Sequence, residues 1–151
     1  MRLTDILTIE CVVVPLKATE KMAAITELVD TLAQHDRIHD RDLVLKTVLD
    51  RERAASTGIG KGLAVPHGKC GGCTDLVMAI GKPAQPIDFN SKDGEPVSVV
   101  ALLASPVDKT GPHIQALAQI ARLMSMDRFR VELSNAGTPD DIYGVIRSHE
   151  Q

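Results

Sequence analysis

The residues best suited to do chemistry lie in one stretch, Arg51 to Cys73, RERAASTGIGKGLAVPHGKCGGC. It holds an arginine, a glycine-rich loop, a short apolar run, and a histidine set between Pro66 and Gly68. Gly58, Gly60 and Gly62 alternate with Ile59 and Lys61, which frees the backbone to take positive φ and turn its N–H groups toward an anion. Leu63, Ala64 and Val65 read as a short buried strand. Pro66 removes a donor and pushes Val65 toward extended geometry. His67 is then expected at the tip of a strand beside a nest of amides, a fitting place for a group that carries a phosphoryl. The unperturbed pKa of histidine, about 6.5, leaves a nucleophilic neutral fraction near pH 7. Phosphoryl transfer asks the protein mainly to position the ring and offset charge on three equatorial oxygens, which fixed amides do without reorganising. Thr57 is placed to add a hydroxyl to such a phosphate site.

Three other readings of this stretch compete. On composition alone, a capping histidine in a turn is the simpler account of His67. The spacing His67-x-x-Cys70-x-x-Cys73 suits zinc, or redox chemistry of the Cys-x-x-Cys pair. A closed zinc site wants a fourth protein ligand and none is evident nearby, so no metal is expected and the thiols read as incidental. Lys61 in GIGKGL slightly resembles a nucleotide loop, but the Walker A spacing is absent, so no ATP site and no other cofactor is assigned.

The run STGIGKGLAVPHGK resembles the active-site signature of the type-2 enzyme IIA domain of the bacterial phosphoenolpyruvate-dependent phosphotransferase system, the mannitol, fructose and nitrogen-regulatory class. ECVVVPLKAT, IDFNSKDGEPVSVVALLASP and HIQALAQIARL are similar to further features of that family, so the resemblance covers nearly the whole chain and looks closest to the nitrogen-regulatory branch. It implies that His67 is the phosphorylated residue, with attachment at Nε2. It implies that His113 is a second histidine able to hydrogen-bond the ring or phosphate of His67 from the start of a helix. Arg51 matches an arginine that faces the phosphoryl group, and a permanently charged guanidinium gripping two oxygens suits that role; Arg53 is its rival at the same helix end. Thr57, Gly58, Gly60 and Gly62 are the phosphate-binding candidates. The activity implied is a relay: an HPr-type carrier donates, and a IIB domain or a regulatory target protein receives or responds. Ile59, Leu63 and Ile114 are candidates for the rim on which the carrier docks. The alternatives are a non-catalytic binding module of the same fold, and a zinc or redox protein using His67, Cys70 and Cys73.

The elements that must position these groups fit one domain of 151 residues, long enough to bury roughly two thirds of the surface its unfolded chain exposes. Phe89, Phe129 and Tyr143 are the only aromatics, so the core is aliphatic and base-stacking platforms are excluded. A net charge of −3 without a basic cluster disfavours nucleic acid and anionic membranes. No apolar run approaches the roughly eighteen residues of a spanning helix, and MRLTDILTIE lacks the apolar core of a signal peptide, so a soluble cytoplasmic protein is expected. Three cysteines suggest no disulfide framework.

In order, Ile9 to Val14 reads as a strand ended by Pro15. Thr19 caps a helix with Ile25, Leu28, Val29 and Leu32 on one face. A second helix from Asp40 buries Leu45, Val48 and Leu49 and delivers Arg51 to the loop. Leu76–Ile80 and Ile87–Phe89 read as extended. Asp93-Gly94 is a turn, and Val97–Ala104, apolar almost without alternation, reads as the central strand. A helix starts at Pro112-His113 with Ile114, Leu117, Ala118, Ala121 and Met124 on one face. Phe129, Val131 and Leu133 read as part of another helix or an irregular segment. Thr138-Pro139-Asp140-Asp141 opens the last helix, anchored by Ile142, Val145 and Ile146. His35, His39 and His149 read as solvated. The expected fold class is α/β, a layered α/β/α domain with a mixed sheet flanked by helices.

Overall fold

The run Val97–Ala104 does become the centre of the molecule. In a computed structural model that describes residues 1–150, it forms a strand over Val99–Ser105 in which every residue is buried. The other elements are β1 (Leu7–Leu16), α1 (Lys21–Gln34), α2 (Arg41–Ala54), β2 (Gly58–Gly60), β3 (Leu63–Ala64), β4 (His67–Lys69), β5 (Val77–Pro83), β6 (the central Val99–Ser105), α3 (Thr110–Met124), α4 (Asp127–Asn135) and α5 (Pro139–His149). A short 3₁₀ turn, Leu3–Asp5, precedes them.

The sheet runs β1-β5-β6-β3-β2, with β4 continuing along β6 beyond β3. β6 is antiparallel to β5 but parallel to β3 and β4, and β1 is parallel to β5, so the sheet is mixed as expected. Helices α1 and α2 cover one face. On the other, Leu63, Met78, Ile80, Val99 and Ala101 meet Ile120 of α3, Phe129 and Leu133 of α4, and Ile146 of α5. Each inward aliphatic of this size contributes roughly 1.5–3 kcal/mol relative to exposure, and the core needs no large aromatic inventory.

Several expectations shift in detail. β1 does not stop at Pro15 but runs to Leu16; it is an edge strand, where a residue without an N–H costs no ladder bond on the open side. The cap of α1 is Glu20 rather than Thr19, its carboxylate accepting from Met22 and Ala23 amides at 3.1 and 2.6 Å. α2 buries Val44, Val48 and, unexpectedly, Glu52, with Leu45 and Leu49 only partly covered. α3 starts two residues before Pro112 and buries His113, Ala116, Ile120, Leu123 and Met124, leaving Ile114 59% exposed. Counting His113 as polar had set the expected stripe about 100° out of phase. His149 is not solvated: its ring stacks edge-on against Phe129 and bonds Glu132. Thr138 caps α5 as expected, accepting from the Asp141 amide at 3.1 Å.

The ends are tied by side-chain caps. Glu150 accepts from the Leu3 and Thr4 amides at 2.6 and 3.2 Å and from Gln119 at 2.9 Å. The Lys82 ammonium donates to the carbonyls of Leu133, Ser134 and Ala136 at 2.9, 3.1 and 2.7 Å, closing the C-terminus of α4 onto β5. Removing that ammonium takes away the one side chain that ties these three carbonyls together, and Leu133 keeps only the Ala136 amide, at 3.2 Å. Lys82→Met is expected to lower stability by about 1–3 kcal/mol, read as a lower midpoint with unchanged slope in urea unfolding.

Candidate active site

His67 is the first residue of β4, not the tip of the preceding strand. After Val65-Pro66 the chain resumes pairing with β6 in register His67↔Leu103, Gly68↔Ala104, Lys69↔Ser105. Strand alternation then sends His67 and Lys69 to one face, that of α3, and Gly68 and Cys70 to the other, that of α2. A Cβ on Gly68 would lie 2.9 Å from Thr47 Cγ2, so only glycine lets β4 lie this close to α2.

The half-buried His67 ring is held by one bond: Nδ1 lies 2.8 Å from the Val65 carbonyl. A carbonyl only accepts, so Nδ1 carries the proton and donates, and the lone pair of a neutral ring is at Nε2. Burial first, then the charges of Arg51 and Lys69, lower the His67 pKa below its ordinary value, against the raising pull of the Val65 carbonyl and Glu52. The site therefore favours a neutral, nucleophilic imidazole.

His113 stands against it, ring centroids 5.4 Å apart at 64°. It sits in the first turn and a half of α3, 3% exposed, with Nδ1 2.7 Å from Ser105 Oγ and Nε2 without a partner among the described residues. Burial, then the neighbouring His67 and Lys69 charges, depress its pKa to about 4. Arg51, in the last turn of α2, donates from Nη1 to the Ala55 carbonyl at 2.8 Å, which folds its guanidinium back over the helix end. Its charge reaches His67. Arg53 instead pairs with Asp50 at 3.2 Å on the surface.

The glycine loop is not an open nest. Gly58–Gly60 pairs antiparallel with Leu63–Ala64, and Lys61 and Gly62, at φ 58° and 79°, make the two-residue turn of a hairpin. The Lys61 amide is taken by Asp93 Oδ2 at 3.0 Å and the Gly58 amide by Ser56 Oγ at 3.0 Å. Leu63 is paired with Val99 and His67 with Leu103, so the turn lies four residues along β6, about 13 Å from His67. Gly60 and Gly62 are thus not brought to the histidine, and Gly58 is nearer but already bonded.

Thr57 is buried under the loop, its amide and hydroxyl both donating to the buried Glu52 carboxylate at 2.9 and 2.5 Å. Lys21 Nζ balances that carboxylate at 3.4 Å. Thr57 therefore holds the loop to α2 and has no proton left for a phosphate. The partners that sequence reading missed are Lys69 and Ser105. Both follow once 67–69 is recognised as a strand, because period-two alternation puts Lys69 beside His67. Glu52 was missed as well, because a charged residue on the helix stripe reads as solvated.

Cys70 and Cys73 do not join His67. Cys70 lies on the opposite face, Cys73 is buried with its thiol pushed up to about 11 by burial, then by Cys70 and Asp75, and no cluster of three metal-ligating residues occurs among the described residues. A thiol so weakly ionised is a poor nucleophile, which disfavours the redox reading. Of the rim candidates, Ile59 and Ile114 are exposed, whereas Leu63 is 1% exposed and belongs to the core. Val107, 68% exposed between β6 and α3, is a further exposed apolar residue.

Comparison with known proteins agrees with this fold. Residues 5–149 match the family described as "Phosphoenolpyruvate-dependent sugar phosphotransferase system, EIIA 2", and the chain belongs to that family. It is 34% identical over 146 residues to a nitrogen regulatory protein of Bradyrhizobium diazoefficiens, covering 97% of this chain and 95% of that one. It is 30% identical over 151 residues to the fructose-specific EIIABC component of Bacillus subtilis, where it spans all of this chain but only 24% of the longer relative. The crystal structure of the nitrogen regulatory protein IIA-Ntr from Neisseria meningitidis superposes with a TM-score of 0.87 at 26% identity, over 94% of this chain and 97% of that one. No helix among the described residues is long and apolar enough to cross a membrane.

The depressed histidines couple the site to stability. Below pH 6.5 the unfolded chain takes up protons that native His113 refuses until about pH 4. Stability is therefore expected to fall as pH drops from about 6.5 to 4, with His113 accounting for at most about 3 kcal/mol. Imidazole titration by NMR should find His113 near 4 and His67 below its usual range; His113→Asn should flatten the stability slope across that window.

Proposed function

We propose that this chain is a phosphohistidine relay in which His67 Nε2 takes the phosphoryl group from an HPr-type carrier. The Nε2 lone pair attacks the phosphorus of a carrier phosphohistidine whose ring holds a proton on its other nitrogen; one N–P bond forms, the other breaks with its electron pair left on the carrier's ring, which departs as neutral imidazole, while His67 keeps its Nδ1–H, so no net proton is exchanged. The single observation that carries this reading is the Val65 carbonyl, which fixes the His67 tautomer with its lone pair at Nε2. Arg51 and Lys69 supply positive charge at the mouth of the site without protonating the ring. Exposed Ile114, next in the chain to His113, and exposed Val107 are the apolar residues assigned to the docking rim.

The receiver follows from two kinds of relative. The fructose-specific EIIABC relative supports transfer to a IIB domain. Similarity over nearly the whole length of a nitrogen regulatory protein supports a regulatory role, in which the negative charge added at His67 changes how a target protein docks. We favour the regulatory role. The intact fold retains both histidines in contact, which argues against a non-catalytic module.

With phosphoenolpyruvate, enzyme I and HPr, intact mass and peptide mapping should show one acid-labile phosphoryl on His67, absent in His67→Ala. Arg51→Ala should slow transfer by roughly 10–100-fold, about 1.4–3 kcal/mol of lost charge stabilisation, with Arg51→Lys intermediate. A wild type that gains nothing from several cognate carriers would end the relay reading.

A further inference from the structure

Six of the seven residues of β6 are apolar; the seventh, Ser105, is polar and fully buried. A buried hydroxyl needs a partner, and the one it has is Nδ1 of His113 at 2.7 Å. We propose that Ser105 is a positioning residue whose hydroxyl donates to His113 Nδ1, fixing the neutral ring as its Nε2–H tautomer so that one N–H faces the phosphoryl group on His67. The inference rests on the relay reading and names a device within it.

The two tautomers leave different debts. If Nδ1–H donated to Oγ, the serine proton would have no acceptor and Nε2 would keep a bare lone pair, two buried groups without partners. If Oγ–H donates to Nδ1, only the Nε2–H is left over. Each arrangement holds one hydrogen bond, and the first leaves one more buried polar group unpaired, which favours the second by roughly tenfold. The leftover atom is Nε2, buried and without a partner, on a ring whose centroid is 5.4 Å from that of His67. A phosphoryl oxygen on His67 Nε2 is the acceptor it lacks.

Register makes the device rigid. Ser105 is paired with Lys69 and Leu103 with His67, so the residue that orients His113 and the residue that carries phosphate stand two positions apart on one face of one strand pair. The donor is in place before the phosphoryl arrives, and being neutral it adds no charge that must be buried when the phosphoryl leaves.

The test is imidazole ¹⁵N NMR on wild type, Ser105→Ala and Ser105→Thr, followed by the lifetime of phosphorylated His67 in each. Wild-type His113 should show a protonated Nε2 and a bare Nδ1. Ser105→Ala should raise the Nδ1–H to Nε2–H ratio by about tenfold and shorten the phosphohistidine lifetime several-fold; Ser105→Thr should restore both. A phosphorylated wild type whose His113 carries its proton at Nδ1 overturns the inference alone, as does an alanine variant that changes neither readout. A wild type that takes no phosphoryl removes the relay reading and this use of the Nε2–H with it. The wild-type spectrum decides the tautomer even if a variant fails to fold.

Discussion

The parallel pairing of His67–Lys69 with Leu103–Ser105 is the constraint on which the site depends. Three backbone positions on each strand decide which face His67 occupies, which hydroxyl stands near it, and where the loop into α3 must begin. A slip of one residue would turn His67 toward α2 and exchange it with Gly68. Gly68 resists that slip, since no side chain fits between β4 and Thr47. The fully buried apolar run of β6 resists it from the other side, because its alternate residues pack on both helical layers.

The electrostatics are arranged so that the cations sit at the surface and the imidazoles stay neutral. Burial does most of this, and Arg51 and Lys69 add to it. The phosphoryl proposed for His67 would invert the balance: a group repelled as a cation would carry an anion beside two cations. The carboxylate in this region, Glu52, is kept out of that exchange by its own bonds to Thr57 and by Lys21. Without those partners a buried negative charge would compete with the phosphoryl for the same cations.

Legibility in the sequence tracked how local each cause was. The strand of β6, the start of α2 at Asp40, the cap at Thr138 and the apolar stripe of α1 rest on spacing within one segment, and they stand as read. The glycine loop misled because three alternating glycines satisfy a hairpin turn as well as an anion nest, and the choice was made by Asp93, thirty-two residues away, capturing the Lys61 amide. The phase of α3 misled because His113 is a buried polar residue, and burial of a polar residue follows from its partner Ser105 rather than from its own type.

The sequence by itself determined the α/β order of elements, the aliphatic core and the signature that singles out His67, since composition and period are properties of neighbouring residues. Only the tertiary structure decided that His67 begins a strand, that Cys70 faces away from it, that Thr57 is committed to Glu52, and that two histidines forty-six residues apart share one wall. Those outcomes depend on which edges pair and which faces are covered. Pairing is settled by burial summed over the whole sheet, a quantity no single window of the chain contains.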